Sequence, residues 1–212
     1  MELSLGLENY ILENIGAEDE ILKELDRETY LKTLYPRMLS GHWQGKILAM
    51  ISKMVRPGSI LEIGTFTGYS AICLAKGLAP GGRLITIEVE DELEGFAKRY
   101  FKKAGLEEQI TQIIGDAVEV IGRLDHQFDL VFIDADKRQY CDYYRLVFDK
   151  VPSGGYIIAD NTLWGGKVIN PPAENDVQAK GIVAFNELIR NDKRVEKVIL
   201  PVRDGITIIR KC

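Results

Sequence analysis

The chain has little cysteine and almost no histidine. Its three cysteines, Cys73, Cys141 and Cys212, are odd in number and widely spaced. They suggest neither a disulfide framework nor a thiolate zinc site, and a reducing compartment follows. His42 and His126 stand alone without ligand-type spacing, which also disfavours zinc. No apolar run approaches the ~18 residues that a membrane helix requires; the stretch after Arg56 is broken by Gly58, Ser59, Glu62 and Gly64. The start, Met1-Glu2-Leu3-Ser4, has neither a basic nor an apolar leader region, so a cytoplasmic location is expected. Positive charge is in deficit, with 27 Lys and Arg against 32 Asp and Glu for a net charge of −5. That balance excludes a protein that coats nucleic acid through its overall charge, while leaving a local basic patch open. What is present, 212 residues with 46% hydrophobic and 28% charged positions, is ordinary for one soluble globular domain.

Apolar spacing near 3.6 marks helices within residues 1–55, at Leu7, Tyr10, Ile11 and Leu12 and again at Ile21, Leu22 and Leu25. Pro36 interrupts them, and a third helix is predicted over His42–Met54, before Arg56-Pro57-Gly58. From Ser59 onward the pattern changes. Ile60–Ile63, Leu84–Ile87, Ile110–Ile114, Leu130–Ile133 and Tyr156–Ala159 read as strands buried on both faces. Between and after them, Tyr69–Gly77, Asp91–Ala104, Ala117–Leu124, Lys137–Lys150 and Asp176–Arg190 read as helices. This alternation predicts an α/β fold with an open, mostly parallel sheet and helices on both faces. Val195–Leu200 and Ile206–Ile209 leave no room for a helix, and Arg203-Asp204-Gly205 between them is a hairpin signal. The last strand is therefore expected to be antiparallel, in the edge region of the sheet. With no repeat or linker, 1–212 reads as a single domain, with 1–55 a helical cap and 56–212 the α/β core.

Ligands of open α/β sheets bind at the carboxyl ends of the strands. After the first strand, Gly64 and Gly68 in Glu62-Ile63-Gly64-Thr65-Phe66-Thr67-Gly68-Tyr69-Ser70 let the backbone approach a ligand, or simply pack strand against helix. Glu88 ends the second strand, where an acidic side chain accepts hydrogen bonds from both ribose hydroxyls. A dinucleotide site wants G-x-G-x-x-G, but its second glycine is Phe66 here, which disfavours an NAD-dependent oxidoreductase. Glu62 would repel phosphate and help to hold a cation. An adenosine cofactor without phosphate fits better, and S-adenosylmethionine is both a sulfonium and an amino acid. Asp116, in Gly115-Asp116-Ala117, can meet an adenine amino group or cap the next helix.

The fourth and fifth strands end in Asp134-Ala135-Asp136-Lys137 and Asp160-Asn161. As neighbours they would bring Asp134, Asp160 and Asn161 into one cleft. Three oxygen ligands without His or Cys suit a hard cation, Mg²⁺ first and Mn²⁺ or Ca²⁺ as alternatives. Taken singly, each carboxylate serves equally as a turn or cap residue. A non-catalytic binding module would have no need of these acidic ends or of Lys137.

The glycine loop, Ile133-Asp134-Ala135-Asp136-Lys137 and Asp160-Asn161-Thr162-Leu163-Trp164-Gly165-Gly166-Lys167-Val168 together resemble the cation-dependent O-methyltransferases, typified by caffeoyl-CoA and catechol O-methyltransferases. The resemblance runs from about Met38 to the carboxyl terminus. It implies a Rossmann-like, seven-stranded class I methyltransferase fold, usually a homodimer. It also implies metal ligation by Asp134, Asp160 and Asn161, and cofactor contacts by Ser40, Gly64, Ser70, Glu88, Asp116, Ala117 and Asp134. On this reading a vicinal oxygen pair of the substrate chelates the metal and Lys137, the candidate general base, takes the hydroxyl proton. Alone, Lys137 would pass for a solvated helix residue, and Tyr140, Tyr143 and Tyr144 for a packing stripe.

The acceptor is expected to be a hydroxylated aromatic small molecule of catechol type, with 5-hydroxyuridine at the wobble position of transfer RNA as the alternative. Trp164 could stack on a planar substrate or plug its loop onto the sheet. Arg37 lies in the segment expected to set substrate identity. With Lys46, Arg138 and Lys167 it could meet phosphates, or the four are scattered solubilising charge.

Overall fold

The computed structural model describes residues 4–212; Met1–Leu3, part of the start that shows no leader pattern in the sequence, lie outside them. The chain carries helices α1 (Leu5–Asn14), α2 (Glu20–Lys32) and α3 (Gly41–Val55) before the first strand. Then come β1 (Ser59–Ile63), α4 (Tyr69–Ala75), β2 (Arg83–Glu88), α5 (Glu94–Lys103), β3 (Ile110–Ile114), α6 (Ala117–Arg123), β4 (Leu130–Ile133), α7 (Tyr140–Phe148) and β5 (Tyr156–Ala159). The chain ends with α8 (Val177–Asn191), β6 (Val195–Leu200) and β7 (Ile206–Lys211). Every predicted strand is present. Two expected helices are shorter than their apolar periodicity implied, because Asp91–Leu93 and Lys137–Gln139 are single 3₁₀ turns leading into α5 and α7.

The seven strands lie in the order β3-β2-β1-β4-β5-β7-β6. The first five in that order pair in parallel, and β7 runs antiparallel to both β5 and β6. The last strand is antiparallel as expected, but it is inserted beside β5 and leaves β6 as the edge. Burial explains the order. Ile206, Thr207 and Ile209 of β7 are buried, whereas Glu196–Ile199 of β6 are exposed, and charged residues suit an unpaired edge.

Alternating strand residues face two cores. Ile60, Leu84, Phe132 and Ile158 pack toward α3, α4 and α5, and Leu61, Val131, Ile157 and Ile209 pack toward α6, α7 and α8. Of the leading helices, α2 buries Leu22, Leu25 and Thr29 against this sheet-covering layer. Helix α1 buries no side chain. The chain moves outward from β1 in both directions, so a crevice opens at the carboxyl ends of β1 and β4, where the sequence motifs fall.

Candidate active site

The glycine loop is shaped by its neighbours within the chain. Gly64 has φ +102, and a Cβ there would lie 2.0 Å from the carbonyl oxygen of Asp134. Gly68 has φ +89, and its Cβ would lie 2.6 Å from the Phe101 ring. Both positions therefore demand glycine for internal packing, whatever ligand the loop meets. Between them Phe66 adopts φ 49, and its N–H donates to Glu88 Oε2 at 2.7 Å. Glu88 Oε1 accepts from the N–H groups of Val89 (2.8 Å) and Glu90 (3.1 Å). One carboxylate thus joins the loop after β1 to the end of β2.

Below the loop, Glu62 is wholly buried. The Thr86 hydroxyl donates to its Oε2 at 2.5 Å, and Thr65 stands 2.6 Å behind Thr86, while Oε1 has no partner among the described residues. Burial pushes the carboxyl up to about 8; the hydroxyls of Ser70 and Thr86 oppose the rise, and the carboxylates of Asp134 and Glu88 add to it. A buried, half-satisfied carboxylate is costly unless a cationic group completes it. Ser70 is buried in the first turn of α4. Asp116 caps α6, its Oδ1 accepting from Val118 N (2.8 Å) and Glu119 N (3.2 Å), and Ala117 is the first residue of that helix. The cap is present, and it leaves Oδ2 available for a ligand.

The pairing of Ile133 with Ala159 sets the next residues, Asp134 and Asp160, side by side. Asp160 is 4% exposed. Its Oδ2 accepts from Gln44 Nε2 at 2.6 Å and its Oδ1 from the Asn161 N–H at 2.7 Å. Burial first, and the Asp134 charge second, push its carboxyl up to about 7; Gln44, Lys137 and the Asn161 N–H oppose. Asn161 itself has φ 56, a left-handed conformation that Asn tolerates.

Lys137 is 8% exposed, which is not the setting of a solvated helix residue. Its Nζ donates to Asp134 Oδ1 and to Tyr140 Oη, both at 2.8 Å. Tyr140 is fully buried, and its hydroxyl donates in turn to the Asp160 carbonyl at 3.1 Å. Burial, followed by the negative charges of Asp134 and Asp160, holds that phenol protonated, well above its ordinary range. Tyr144 packs as a stripe residue should, whereas Tyr140 belongs to the polar site.

Arg37 is exposed in the 3₁₀ turn Pro36–Met38. Trp164 is half-buried against the α7 and α8 core, which favours the loop-plug reading. Lys46 is exposed. Arg138 is paired with Asp136 at 2.8 Å, and Lys167 with Asp176 at 2.6 Å, so two of the four cations proposed for phosphates are engaged within the chain. Ser40 is buried at the start of α3, where its carbonyl accepts from Arg203 Nη1. Gln44 carries no signal in the sequence, Arg203 reads there only as a turn residue, and Tyr140 only as packing. Tyr140 had a local signal, three residues after Lys137; Gln44 meets Asp160 and Arg203 only through the fold.

Among the described residues, no group of three or more His, Cys, Asp or Glu side chains is placed to hold a metal. The candidate set is two Asp and one Asn. A hard cation takes such oxygen donors, and one bound there would favour the ionised form of Asp160, which burial first and the Asp134 charge second disfavour.

Known proteins share this sequence pattern and fold. A model of the O-methyltransferase family matches residues 13–212. The caffeoyl-CoA O-methyltransferase of Stellaria longipes is 34% identical over 219 residues, covering 97% of this chain and 90% of the relative. That of Medicago sativa is 34% identical over 222 residues, covering 97% and 88%. The Bacillus cereus O-methyltransferase, solved in complex with S-adenosylhomocysteine, superposes with a TM-score of 0.89 at 30% identity, covering 97% of each chain. TomG of Streptomyces achromogenes, an O-methyltransferase of tomaymycin synthesis solved with S-adenosylmethionine, superposes at 0.90 with 29% identity, covering 97% of this chain and 96% of that one. The chain belongs to the O-methyltransferase family that includes the plant caffeoyl-CoA O-methyltransferases.

Proposed function

We infer that this chain transfers the methyl group of S-adenosylmethionine to one hydroxyl of a vicinal oxygen pair on a small aromatic molecule, with Mg²⁺ or a similar hard cation at Asp134, Asp160 and Asn161. The observation that carries this reading is the convergence, at adjacent strand ends, of the buried Asp160 carboxylate, the Asp134 carboxylate and a buried lysine bonded to Asp134. When bound, the cation supplies charge that favours the ionised form of the acceptor hydroxyl. Lys137, as an amine, receives the proton; Asp134 and Tyr140 fix the place of its Nζ. The methyl carbon then leaves sulfur as the acceptor oxygen bonds to it, and a neutral thioether remains. Positioning is the main contribution of the protein. For the cofactor, Glu62 faces the cationic end, Glu88 the ribose and Asp116 the adenine, with Ser40, Gly64, Ser70, Ala117 and Asp134 lining the same crevice.

The engaged states of Arg138 and Lys167 favour a small-molecule acceptor over transfer RNA. A matched acceptor panel tests this. With labelled S-adenosylmethionine and Mg²⁺, a catechol should be methylated, while the corresponding monophenol and transfer RNA carrying wobble 5-hydroxyuridine should not. Methylation of the RNA alone would overturn the small-molecule assignment.

Glu62 provides a second check. Its raised proton affinity means that the folded chain keeps a proton that the unfolded chain releases, so stability falls as pH rises from about 4.5 towards 8. Glu62→Gln removes that loss. The variant should melt above the parent at pH 8, converge with it near pH 4.5, and bind S-adenosylmethionine more weakly. Thermal melts across that range with calorimetric titration of the cofactor read both effects. A variant that is both less stable at pH 8 and unchanged in cofactor affinity contradicts the assignment.

A further inference from the structure

The turn joining β6 to β7 reaches two separate walls of the crevice. On one side, the Asp204 carbonyl accepts from Leu163 N at 2.9 Å, the Gly205 carbonyl accepts from Thr162 N at 3.0 Å, and the Asp204 carboxylate accepts from Gly165 N. These bonds hold the loop that follows Asp160 and Asn161. On the other side, Arg203 Nη1 donates to the carbonyls of Leu39 (2.9 Å) and Ser40 and to Gln44 Oε1 at 3.2 Å. Gln44 is 1% exposed, and its Nε2 continues to Asp160 Oδ2 at 2.6 Å.

This chain of bonds has a direction. A guanidinium only donates and an ionised carboxylate only accepts, so the Gln44 amide between them has one favourable orientation, oxygen towards Arg203 and NH₂ towards Asp160. The reverse orientation would set donor against donor and acceptor against acceptor at both ends. With Gln44 on Oδ2 and the Asn161 N–H on Oδ1, each Asp160 oxygen receives one of these donors and keeps a lone pair for another partner.

We propose that Arg203 and Gln44 form a strut, anchored in the β6–β7 turn, that orients the Asp160 carboxylate for cation binding. Both are positioning residues, and the inference rests on the reading of Asp160 as a cation ligand. Partners behind a metal ligand typically change metal affinity by about 10- to 100-fold when removed. Because Arg203 acts on Asp160 through Gln44, their effects must overlap.

The test is Mn²⁺ titration of the full chain with S-adenosylhomocysteine, followed by electron paramagnetic resonance of free Mn²⁺. Gln44→Met should weaken Mn²⁺ binding by about tenfold or more while leaving S-adenosylhomocysteine affinity unchanged; a merely structural role would lower both together with the melting temperature. Gln44→Asn, which keeps the amide but is too short for both partners, should weaken Mn²⁺ binding as well and serves if the Met variant folds poorly. Arg203→Met should act in the same direction, and the double variant should bind Mn²⁺ no more weakly than Gln44→Met alone. Parent-like Mn²⁺ affinity in the Gln44 and Arg203 variants, alongside its loss in Asp160→Ala, overturns the strut and leaves the cation reading standing. Losses that multiply in the double variant also overturn it. Parent-like Mn²⁺ affinity in Asp160→Ala overturns the cation reading and the strut with it.

Discussion

Lys137→Met is expected to lower turnover by roughly 10²- to 10⁴-fold, the usual contribution of a positioned proton acceptor, while cofactor affinity stays near that of the parent. Methionine keeps the length and apolar body of the side chain, so the buried position stays filled. What is lost is the nitrogen held between Asp134 Oδ1 and Tyr140 Oη. The Tyr140 hydroxyl keeps its bond to the Asp160 carbonyl, so the surrounding backbone retains its anchor. Steady-state kinetics beside calorimetric titration of S-adenosylmethionine separates the two quantities. Equal losses in turnover and cofactor affinity would make Lys137 a structural residue.

The second large effect is on folding. Gly64→Ala sets a Cβ 2.0 Å from the Asp134 carbonyl oxygen at a backbone φ of +102. No side-chain rotation relieves a collision with backbone, so the ends of β1 and β4 must separate. The expected loss is on the order of 3 kcal/mol or more, from strain and overpacking together, with cofactor affinity falling because the same strand ends form the crevice. Gly81→Ala is the control: Gly81 has a similar φ of +78 but nothing within 4 Å of its Cβ. It should lose only about 1–2 kcal/mol, the cost of the left-handed backbone. Denaturant melts of the two variants read the difference, and equal losses would mean that the contact with Asp134 carries no weight.

These expectations show which parts of the molecule were legible in one dimension. Strands buried on both faces, such as Leu130–Ile133, announce themselves as unbroken apolar runs, and their alternation with helices implies the sheet. The acidic residues that end those strands are local features too, so Asp134, Asp160 and Asn161 stand out in the sequence by themselves. The position of β7 was not legible, because an antiparallel hairpin satisfies the same pattern in either order beside β5; the contrast between buried Ile206 and exposed Val198 decides it in three dimensions. Gln44 and Arg203 were invisible for a related reason. Their hydrogen bonds join segments more than a hundred residues apart, and a polar residue on an early helix carries no mark of the carboxylate that it will meet. The burial of Lys137 was likewise hidden, since a lysine after a strand reads as surface until Tyr140 folds beneath it.

The proposed function has Asp160 and its neighbours hold a divalent cation that serves methyl transfer from S-adenosylmethionine to a vicinal oxygen pair. The most direct measurement is the rate of methyl transfer from labelled S-adenosylmethionine to a catechol, with Mg²⁺, with chelator, and with Mg²⁺ restored, in the parent and in Asp160→Ala. Activity should vanish with chelator, return with Mg²⁺, and be absent from Asp160→Ala throughout. Transfer that persists in chelator and in Asp160→Ala would contradict it.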